Sequence, residues 1–210
     1  MRHRAWTWWY LVRYARFAWL RIRHPDIECT GFVFLGRGVV IEHRQGYGRI
    51  RLGAWVHIGD ANRIRCHEGT LSIGDKVVLG RDNTINAYLD VAIEPEALIS
   101  DWVYICDFDH RSDDLGTSIR SQGIVKAPVR IGRGVWVGVK ASILRGADIG
   151  EHSIVGAHAV VRGAVPPFAV VAGVPARIVR MRQPVAPRPE ALDVTAITRA
   201  AVAERAGRAS

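Results

Sequence analysis

Between Ile131 and Val161 the apolar positions of the chain follow a period of six residues. A β-branched aliphatic residue opens every block: Ile131, Val137, Ile143, Ile149, Val155 and Val161. Glycine follows it in four of the five blocks, and a small or β-branched residue fills the fifth slot of each. An amphipathic helix would need a spacing of about 3.6, and a strand a simple alternation. The period of six fits neither element and is typical of a hexapeptide β-solenoid.

Each block therefore predicts one short strand and one turn, and three blocks close one triangular coil. The aliphatic residue points inward and stacks on its equivalents in neighbouring coils at the strand spacing of about 4.8 Å. We expect the glycines to supply the positive φ angles of tight corners. The pattern predicts an all-β domain over residues 31–181 that forms a parallel β-helix. Such coils are commonly left-handed, but the spacing itself does not determine the handedness.

The same period recurs less regularly in the first half of the chain. Its aliphatic positions fall into three groups: Leu52, Ile58 and Ile64; Ile73, Leu79 and Ile85; Ile93, Ile99 and Ile105. With a two-residue shift between the second and third groups, the register stacks Ile105 over Ile85. Asn86 is then expected one coil from Cys106, on the same side of the prism.

The period fails most completely between Ile105 and Ile131. Residues 106–128 are polar and cannot continue an apolar core, so we expect them to leave the prism as an inserted loop. Loops that interrupt a regular scaffold often carry function.

Residues 1–30 are predicted to form a separate N-terminal segment. Its apolar residues mark one face of a helix: Trp8, Val12, Ala15, Trp19 and Ile22. Six arginines accompany this face, and no acidic residue occurs before Asp26. The arginines exclude a membrane-spanning helix, and the pattern does not match a secretory signal. Residues 1–24 either cover the open end of the solenoid, which we favour, or lie on an anionic membrane surface.

The net charge of the 210 residues is +9, and arginine carries almost all of the excess. This charge favours an anionic ligand such as a phosphate-bearing cofactor. Nucleic acid is not predicted as a partner, because no binding motif accompanies the charge. Cys29, Cys66 and Cys106 suggest no disulfide framework, so we expect a cytoplasmic protein. Residues 182–210 are predicted to form a Pro-rich linker and then an Ala-rich helix or disordered tail.

Several motifs, in the expected order, resemble the hexapeptide-repeat acyltransferases. Besides the hexads, they are Val135-Trp136-Val-Gly, Gly156-Ala-His-Ala-Val-Val and Gly173-Val-Pro-Ala-Arg. Within this family the chain is most similar to the sugar and polysaccharide O-acetyltransferases of the maltose, nodulation and capsule type. The resemblance implies a left-handed parallel β-helix and a homotrimer with active sites between subunits. It also implies acetyl-CoA or another acyl-CoA as donor, and a catalytic histidine at the start of the inserted loop.

That histidine is His110, in the sequence Asp107-Phe-Asp-His. A sugar hydroxyl is a poor nucleophile, and a neutral imidazole with an ordinary pKa of about 6.5 can accept its proton. A backbone N–H would stabilise the oxyanion, and direct transfer in a ternary complex needs no covalent intermediate. Asn86, Asp107 or Asp109 would orient the ring, a choice that the sequence leaves open. The alternative interpretation of His110 is a solvated loop histidine.

The resemblance also implies which residues bind the donor. The pantetheine arm would contact Trp136, the backbone of Gly138 and Val139, Ala157, Arg162 and Gly163, and the phosphates would contact Arg177 and Arg180. The family often has Thr-Lys where this chain has Arg162-Gly163. The alternative interpretation of Trp136 is an aromatic residue that only fills a face of the prism. For Arg177 and Arg180 it is the start of a solvated helix.

The inserted loop departs from the maltose-type enzymes in a way that affects the acceptor. Those enzymes carry a glutamate shortly before the proline that ends the loop, whereas this chain has Gln122-Gly123 and no acid. The Gln-Gly form is similar to the glycan and capsule acetyltransferases. It favours a larger glycan or glycolipid intermediate as acceptor, with Gln122 as a supporting residue.

Other functions compete with sugar O-acylation. Cys106 is a rival nucleophile, although its register position favours packing. A zinc lyase of the carbonic anhydrase type needs three histidine ligands, and neither His57 with His67 nor His152 with His158 has a suitable spacing. No metal is therefore predicted. The acceptor could instead be a small alcohol or an antibiotic, or the chain could be a non-catalytic trimeric scaffold.

Overall fold

A computed structural model describes residues 8–184, with side chains from residue 11 onwards. Helix α1 (Trp8–Arg23) comes first, and short strands follow. Their bounds are β1 (Glu28–Cys29), β2 (Val33–Leu35), β3 (Val40–His43), β4 (Gly48–Leu52), β5 (Val56–Ile58), β6 (Arg63–Cys66), β7 (Gly69–Ile73), β8 (Val78–Leu79), β9 (Thr84–Ala87), β10 (Asp90–Ile93), β11 (Leu98–Ile99), β12 (Tyr104–Cys106), β13 (Phe108–His110), β14 (Ile124–Lys126), β15 (Val129–Ile131), β16 (Trp136–Val137), β17 (Ser142–Ile143), β18 (Asp148–Ile149), β19 (Ile154–Val155), β20 (Val160–Val161), β21 (Ala164–Val165), β22 (Ala169–Ala172) and β23 (Arg177–Met181). A 3₁₀ turn at Ile119–Ser121 lies between β13 and β14.

The strands build three parallel sheets, named here faces A, B and C, which form the sides of a prism. Face A has the order β1-β4-β7-β10-β15-β18-β21, face B β2-β5-β8-β11-β16-β19-β22, and face C β3-β6-β9-β12-β17-β20. Six complete coils each give one strand to every face, and β21 and β22 begin a seventh. β23 pairs antiparallel with β22 at the end of face B. The predicted all-β parallel β-helix is confirmed.

Strand pairing confirms the predicted stacking of the aliphatic residues. On face C, Ile105 pairs with Ile85 on one side and with Ile143 on the other, and Cys106 pairs with Asn86. The two-residue shift inferred from the sequence therefore gives the correct register. The inward aliphatic residues of all three faces are almost completely buried and form one continuous core along the prism.

The glycines that directly follow the inward aliphatic residues do not supply the positive φ angles of the corners. The positive φ angles lie three residues after the inward aliphatic residue, for example at Lys140 (58°) and His152 (55°). A Cβ atom on Gly138, which directly follows an inward valine, would lie 2.7 Å from the backbone nitrogen of Ala157. Glycine is required there because the corners of successive coils approach too closely for any side chain.

Two buried asparagines that the period does not reveal join the corners of neighbouring coils. Asn62 donates from Nδ2 to the carbonyl oxygens of Gly59 (2.8 Å) and Gly80 (2.7 Å). Asn83 accepts a bond of 2.7 Å from the backbone N–H of Val103. Each amide thereby satisfies backbone groups that the turns leave unpaired in the interior.

Helix α1 covers the open edge of the first coil. Arg16 donates to the carbonyl oxygen of Leu35 at 3.1 Å, so a guanidinium group satisfies an edge carbonyl of β2. The ring of Phe17 packs against that of Phe32 with 4.9 Å between centroids, and Leu20 is buried in the core. These contacts support the interpretation of α1 as a cap, because an uncovered strand edge would expose unpaired backbone groups.

The apolar face predicted for α1 is not the face that docks. Ala15, Trp19 and Ile22 are exposed, and the contact with the coil is made by the side that carries Phe17 and Leu20. Sequence periodicity identified an apolar stripe correctly, but it did not show which side of the helix faces the protein.

Residues 1–7 and 185–210 lie outside the described residues, as does the side chain of Trp8. The predicted linker and tail over residues 182–210 are therefore described only as far as Pro184. In the described range, no helix has both the length and the apolarity that a membrane crossing requires.

Replacing Ile73, which is buried on face A, with alanine is expected to lower the free energy of unfolding by about 2–5 kcal/mol, because a cavity opens between coils. Ser72→Ala changes the outward-facing neighbour on the same strand and should change it by less than about 0.5 kcal/mol. Urea unfolding followed by circular dichroism measures both values. Equal effects would contradict the assignment of inward and outward positions.

Candidate active site

The inserted residues form a β-hairpin at the edge between faces C and A. We call residues 107–127 the arm. β13 pairs antiparallel with β14, and His110, at the end of β13, lies opposite Ile124. The backbone N–H of Arg111 donates to the carbonyl of Gly123 at 3.0 Å, which extends the pairing beyond His110. The predicted catalytic histidine is thus exposed on the surface of a structured arm.

Asp107 fixes the base of the arm. It is completely buried, and its carboxylate accepts the backbone N–H groups of Tyr88, Leu89 and Asp90, each at 2.8 Å. Both carboxylate oxygens are engaged in these bonds, and none of the bonds reaches the His110 ring. The geometry gives Asp107 a structural role, in which it ties the arm to the corner between β9 and β10.

A column of rings supports the same side of the arm. The ring of Phe108 meets Tyr88 edge-on with 4.5 Å between centroids, and Tyr88 stacks on His67 at 4.5 Å. The ammonium group of Lys126 lies 5.5 Å from the centre of the Tyr88 ring and pairs with Glu68. The two strands of the arm therefore share one aromatic support on the coils below.

Asp109 anchors the other side of the arm through two arginines. Its Oδ2 lies 3.1 Å from Arg145 Nε and 3.4 Å from Arg162 Nη1. Because side chains alternate along a strand, Asp109 points away from the side that carries Phe108 and His110. These ion pairs hold the strand rather than the imidazole. Sequence reasoning missed Arg145, because its Leu-Arg-Gly corner has no distinctive motif.

Asn86, Tyr104 and Cys106 form a cluster on face C at the root of the arm. The side chain of Asn86 hydrogen-bonds Tyr104, and burial raises the pKa of the tyrosine to about 12. The Cys106 thiol donates to the carbonyl of Phe108 at 3.2 Å and is only 3% exposed. Burial raises the pKa of this thiol as well. Cys106 is therefore protonated near neutral pH, which suits packing and not nucleophilic attack.

Gln122 organises the tip of the arm. Its Nε2 donates to the carbonyl oxygens of Asp114 and Thr117, both at 2.8 Å, and its Oε1 accepts the backbone N–H of Asp114 at 3.1 Å. Gly123 follows with a φ angle of 81°. The Gln-Gly pair that carries the glycan-type resemblance thus sets the shape of the loop.

Most of the residues predicted to bind the donor lie elsewhere on the prism. Trp136 is on β16 of face B, where its indole N–H donates to Ser100 Oγ at 3.1 Å. Gly138 and Val139 follow at the edge between faces B and C, and Ala157 occupies the same edge one coil later. The exposed ring of Trp136 is available to a ligand, because it points away from the core.

The remaining donor candidates divide between two places. Arg177 and Arg180 are exposed on β23 beside the last coil of face B, so the alternative that they begin a helix is wrong. Arg162 and Gly163 lie instead at the edge between faces C and A, where Arg162 pairs with Asp109 of the arm.

One chain does not bring the two halves of the predicted site together. His110 lies at the edge between faces C and A, while Trp136 and Ala157 lie on face B and at its edge with face C. The width of face C therefore separates the proposed base from these donor residues.

A group of possible metal ligands lies at the far end of the prism from the last coil. Ligand atoms of His24, Asp26 and His43 are within 4.8 Å of one another. His43, on β3, hydrogen-bonds Asp26, and Arg23 and Arg49 line the adjoining cavities. The hydrogen bond between His43 and Asp26 ties the turn after α1 to the first coil.

Comparison with known proteins agrees with the repeat. The family of the bacterial transferase hexapeptide (six repeats) matches residues 128–163. A protein of Mycobacterium tuberculosis named as a probable acetyltransferase is 54% identical over 183 residues, which are 87% of this chain and 61% of that protein. An Escherichia coli protein, provisionally named as an O-acetyl transferase of lipopolysaccharide biosynthesis, is 34% identical over 123 residues, 52% of this chain and 63% of its own. The chain thus spans less than two thirds of the length of these relatives.

Among solved structures, the chain is similar to a point mutant of AntD, an N-acyltransferase of Bacillus cereus, in complex with dTDP and coenzyme A. The TM-score is 0.65 at 15% identity, and the match covers 89% of this chain and 95% of the other. At this identity the likeness shows the shared fold. Repeat, relatives and fold together confirm the resemblance to the hexapeptide-repeat acyltransferases.

Asp107→Asn is expected to lower the free energy of unfolding by about 1–3 kcal/mol, because the amide nitrogen cannot accept the backbone bonds that the carboxylate accepts. Asp109→Asn removes only partly exposed ion pairs and should cost less than about 1 kcal/mol. Urea unfolding gives the two values, and amide exchange at residues 88–90 should increase only in the Asp107 variant. Unchanged protection of these amides would contradict the assignment of Asp107 to the base of the arm.

Proposed function

We propose that this chain, which carries the hexapeptide repeat of the bacterial transferases, is an acyl-CoA-dependent O-acyltransferase. The acyl group is taken to be acetyl, and the acceptor is a hydroxyl of a sugar, polysaccharide or glycolipid intermediate. The observation that carries the proposal is the arm, which breaks the repeat and presents His110 from a base fixed by a buried carboxylate. The acetyltransferase names of both sequence relatives support the same reaction class.

His110 acts as a general base in direct transfer. A neutral ring nitrogen takes the proton of the acceptor hydroxyl while the oxygen attacks the thioester carbonyl carbon. The resulting tetrahedral oxyanion is stabilised by a backbone N–H and collapses with cleavage of the carbon–sulfur bond. The CoA thiolate leaves and takes the proton from the imidazolium, which returns His110 to its neutral form. No covalent enzyme intermediate forms, and Cys106 takes no part.

The contacts of the arm narrow the choice of group that orients His110. Asp107 uses both carboxylate oxygens on backbone N–H groups, and Asp109 faces the other side of the strand, where it pairs with Arg145. Asn86 is hydrogen-bonded to Tyr104. We therefore assign these residues to positioning the arm, and assign the orientation of the ring to a group of a neighbouring subunit.

A homotrimer completes the site in this proposal. The edge of one subunit that carries the arm would meet the edge between faces B and C of the next subunit, so that His110 approaches Ala157 and Val139. Arg162 and Gly163, which lie at the edge that carries the arm, would then also contact the donor. Face B supports such an assembly, since Val78 and Leu98 stand exposed beside Trp136 in a continuous apolar row.

The donor lies along this shared edge. The pantetheine chain runs past Trp136 and the backbone of Gly138, where the close corners of the coils leave a smooth surface. Arg177 and Arg180 meet the phosphates of the nucleotide from β23. The relative named for lipopolysaccharide biosynthesis supports a glycan acceptor in place of a small alcohol or an antibiotic.

We place the protein in the cytoplasm, with peripheral contact to a membrane through the N-terminal helix. The three cysteines Cys29, Cys66 and Cys106 are free, which is in keeping with a reducing compartment.

His110→Ala is expected to lower the rate of acyl transfer by a factor of about 10² to 10⁴, because the acceptor hydroxyl loses its base. Release of free thiol from acetyl-CoA in the presence of a panel of glycans measures this rate. His152→Asn is the matched control, because it removes a histidine from a corner far along the chain and should leave the rate unchanged.

Light scattering should give the same trimer mass for both variants. Unchanged transfer by His110→Ala would overturn the assignment of the base. A wild-type trimer that transfers no acyl group to any glycan of the panel would favour the scaffold function or a small alcohol acceptor.

Arg177→Ala and Arg180→Ala are each expected to raise the KM for acetyl-CoA about tenfold, as the loss of one charge-assisted phosphate contact predicts. The KM for S-acetyl-pantetheine, which lacks the nucleotide, should not change. Arg130→Ala, which removes an exposed arginine of face A, is the control. A rise in KM for both thioesters would place the two arginines away from the nucleotide.

A further inference from the structure

Helix α1 has two separate surfaces, and only one of them is used by the β-helix. The inner surface docks through Phe17 and Leu20. The outer face consists of solvent-exposed apolar side chains: Leu11, Ala15, Ala18, Trp19 and Ile22. Trp19 is 61% exposed and Ile22 74% exposed, which is unusual for large apolar side chains of a folded domain.

These residues form a continuous stripe and not scattered exposures. Their spacing of four, three, one and three positions keeps them on one side of a helix. The stripe from Leu11 to Ile22 extends about 16 Å along the axis at about 1.5 Å per residue. The helix therefore presents a long apolar ridge at the end of the prism.

The charges that flank the ridge all have one sign. α1 contains Arg13, Arg16, Arg21 and Arg23 and no acidic residue. Arg16 donates to the carbonyl of Leu35 in the first coil and Arg21 to the carbonyl of Ile27 in the turn after α1, which places their positive charge along the border between the two surfaces. In the sequence, Arg2 and Arg4 precede the helix, and again no acid accompanies them. An apolar ridge on a helix whose charged residues are all cationic matches a bilayer with anionic headgroups, where the ridge enters the acyl boundary and the guanidinium groups bind phosphates.

We propose that the outer face of α1 binds the surface of an anionic lipid bilayer, with the helix axis parallel to the membrane. Capping and membrane binding, which the sequence presents as alternatives, are then carried out by opposite sides of one helix. Because the inner surface already holds the helix in shape, binding does not require the helix to fold on the lipid. The ordering cost that weakens flexible membrane anchors is thereby avoided.

The proposal also deepens the assignment of the acceptor, and in this respect it rests on the proposed function. α1 covers the end of the prism, so a bilayer on its outer side lies across the prism axis. On face C, three strand spacings of about 4.8 Å separate β3, in the first coil, from β12, at the root of the arm. His110 would be held roughly 15–20 Å above the headgroups, within reach of a glycan that remains attached to a lipid. In a trimer the three ridges face the same side, which strengthens binding through multivalency.

Co-sedimentation of the full chain with vesicles tests the proposal. Vesicles of phosphatidylglycerol and phosphatidylcholine in equal parts should bind the wild-type chain at least tenfold more tightly than vesicles of phosphatidylcholine alone, and added salt should weaken the binding. The double variant Trp19→Ser/Ile22→Ser should lose at least a factor of ten in affinity for the anionic vesicles. Arg23→Gln should lose a factor of about five. Leu115→Ser, which removes a fully exposed leucine at the tip of the arm, should bind as the wild type does.

Circular dichroism and light scattering show whether the double variant remains folded and assembled. Because Trp19 and Ile22 do not belong to the buried core, the thermal transition and the oligomer mass should not change. Loss of the oligomer in the double variant, with no preference of the wild type for anionic vesicles, would show that the ridge is a contact between copies of the chain. Equal binding by the wild type and the double variant would also overturn the proposal.

Activity measurements separate this inference from the proposed function. The double variant should retain acyl transfer to a water-soluble glycan while it loses vesicle binding. His110→Ala should show the opposite behaviour, with normal vesicle binding and no transfer. Failure of only one of the two experiments therefore identifies which proposal is wrong.

Discussion

The close approach of successive coils is the constraint on which the rest of the structure depends. Inward aliphatic residues can stack in register only if the corners lie at one strand spacing, and at that distance a Cβ atom on Gly138 would collide with the backbone of Ala157. The same constraint excludes any insertion that remains within the prism. Additional residues must leave at an edge, and the arm that carries His110 does so at the edge between faces C and A.

Spacing alone predicted the parts of the fold that repeat. The register of Ile105 over Ile85, and with it the neighbourhood of Asn86 and Cys106, followed from counting, because every inward position has the same surroundings. The spacing did not predict features that depend on a single long-range contact. Asp109 lies two residues from Asp107 in the same polar segment, and only the folded chain shows that Asp107 accepts the N–H groups at the β9–β10 corner. The periodicity of α1 likewise revealed an apolar stripe but not the direction in which it points.

In the candidate site too, local motifs pointed to single residues but did not show how far apart the fold places them. Motifs pointed to His110 and Trp136 separately, and the structure shows both side chains exposed. The width of face C separates them, because the coil places His110 at the edge between faces C and A and Trp136 on face B. This arrangement makes the interface between subunits part of the proposed chemistry. In the proposed assembly, His110 and the donor residues are each held at their own edge of the prism and come together between two subunits.

The arm both leaves and rejoins the prism at a single point, where the backbone N–H of Ala127 donates to the carbonyl of Asp107 at 3.0 Å. Because its two ends are already joined, the length and sequence of the tip can vary without any change in the coils on either side. Within such a scaffold, acceptor preference can diverge during evolution through changes in the arm alone. In the proposed function, the repeat and the donor residues would be kept, and a new acceptor would require only a new loop between the same two ends of the arm.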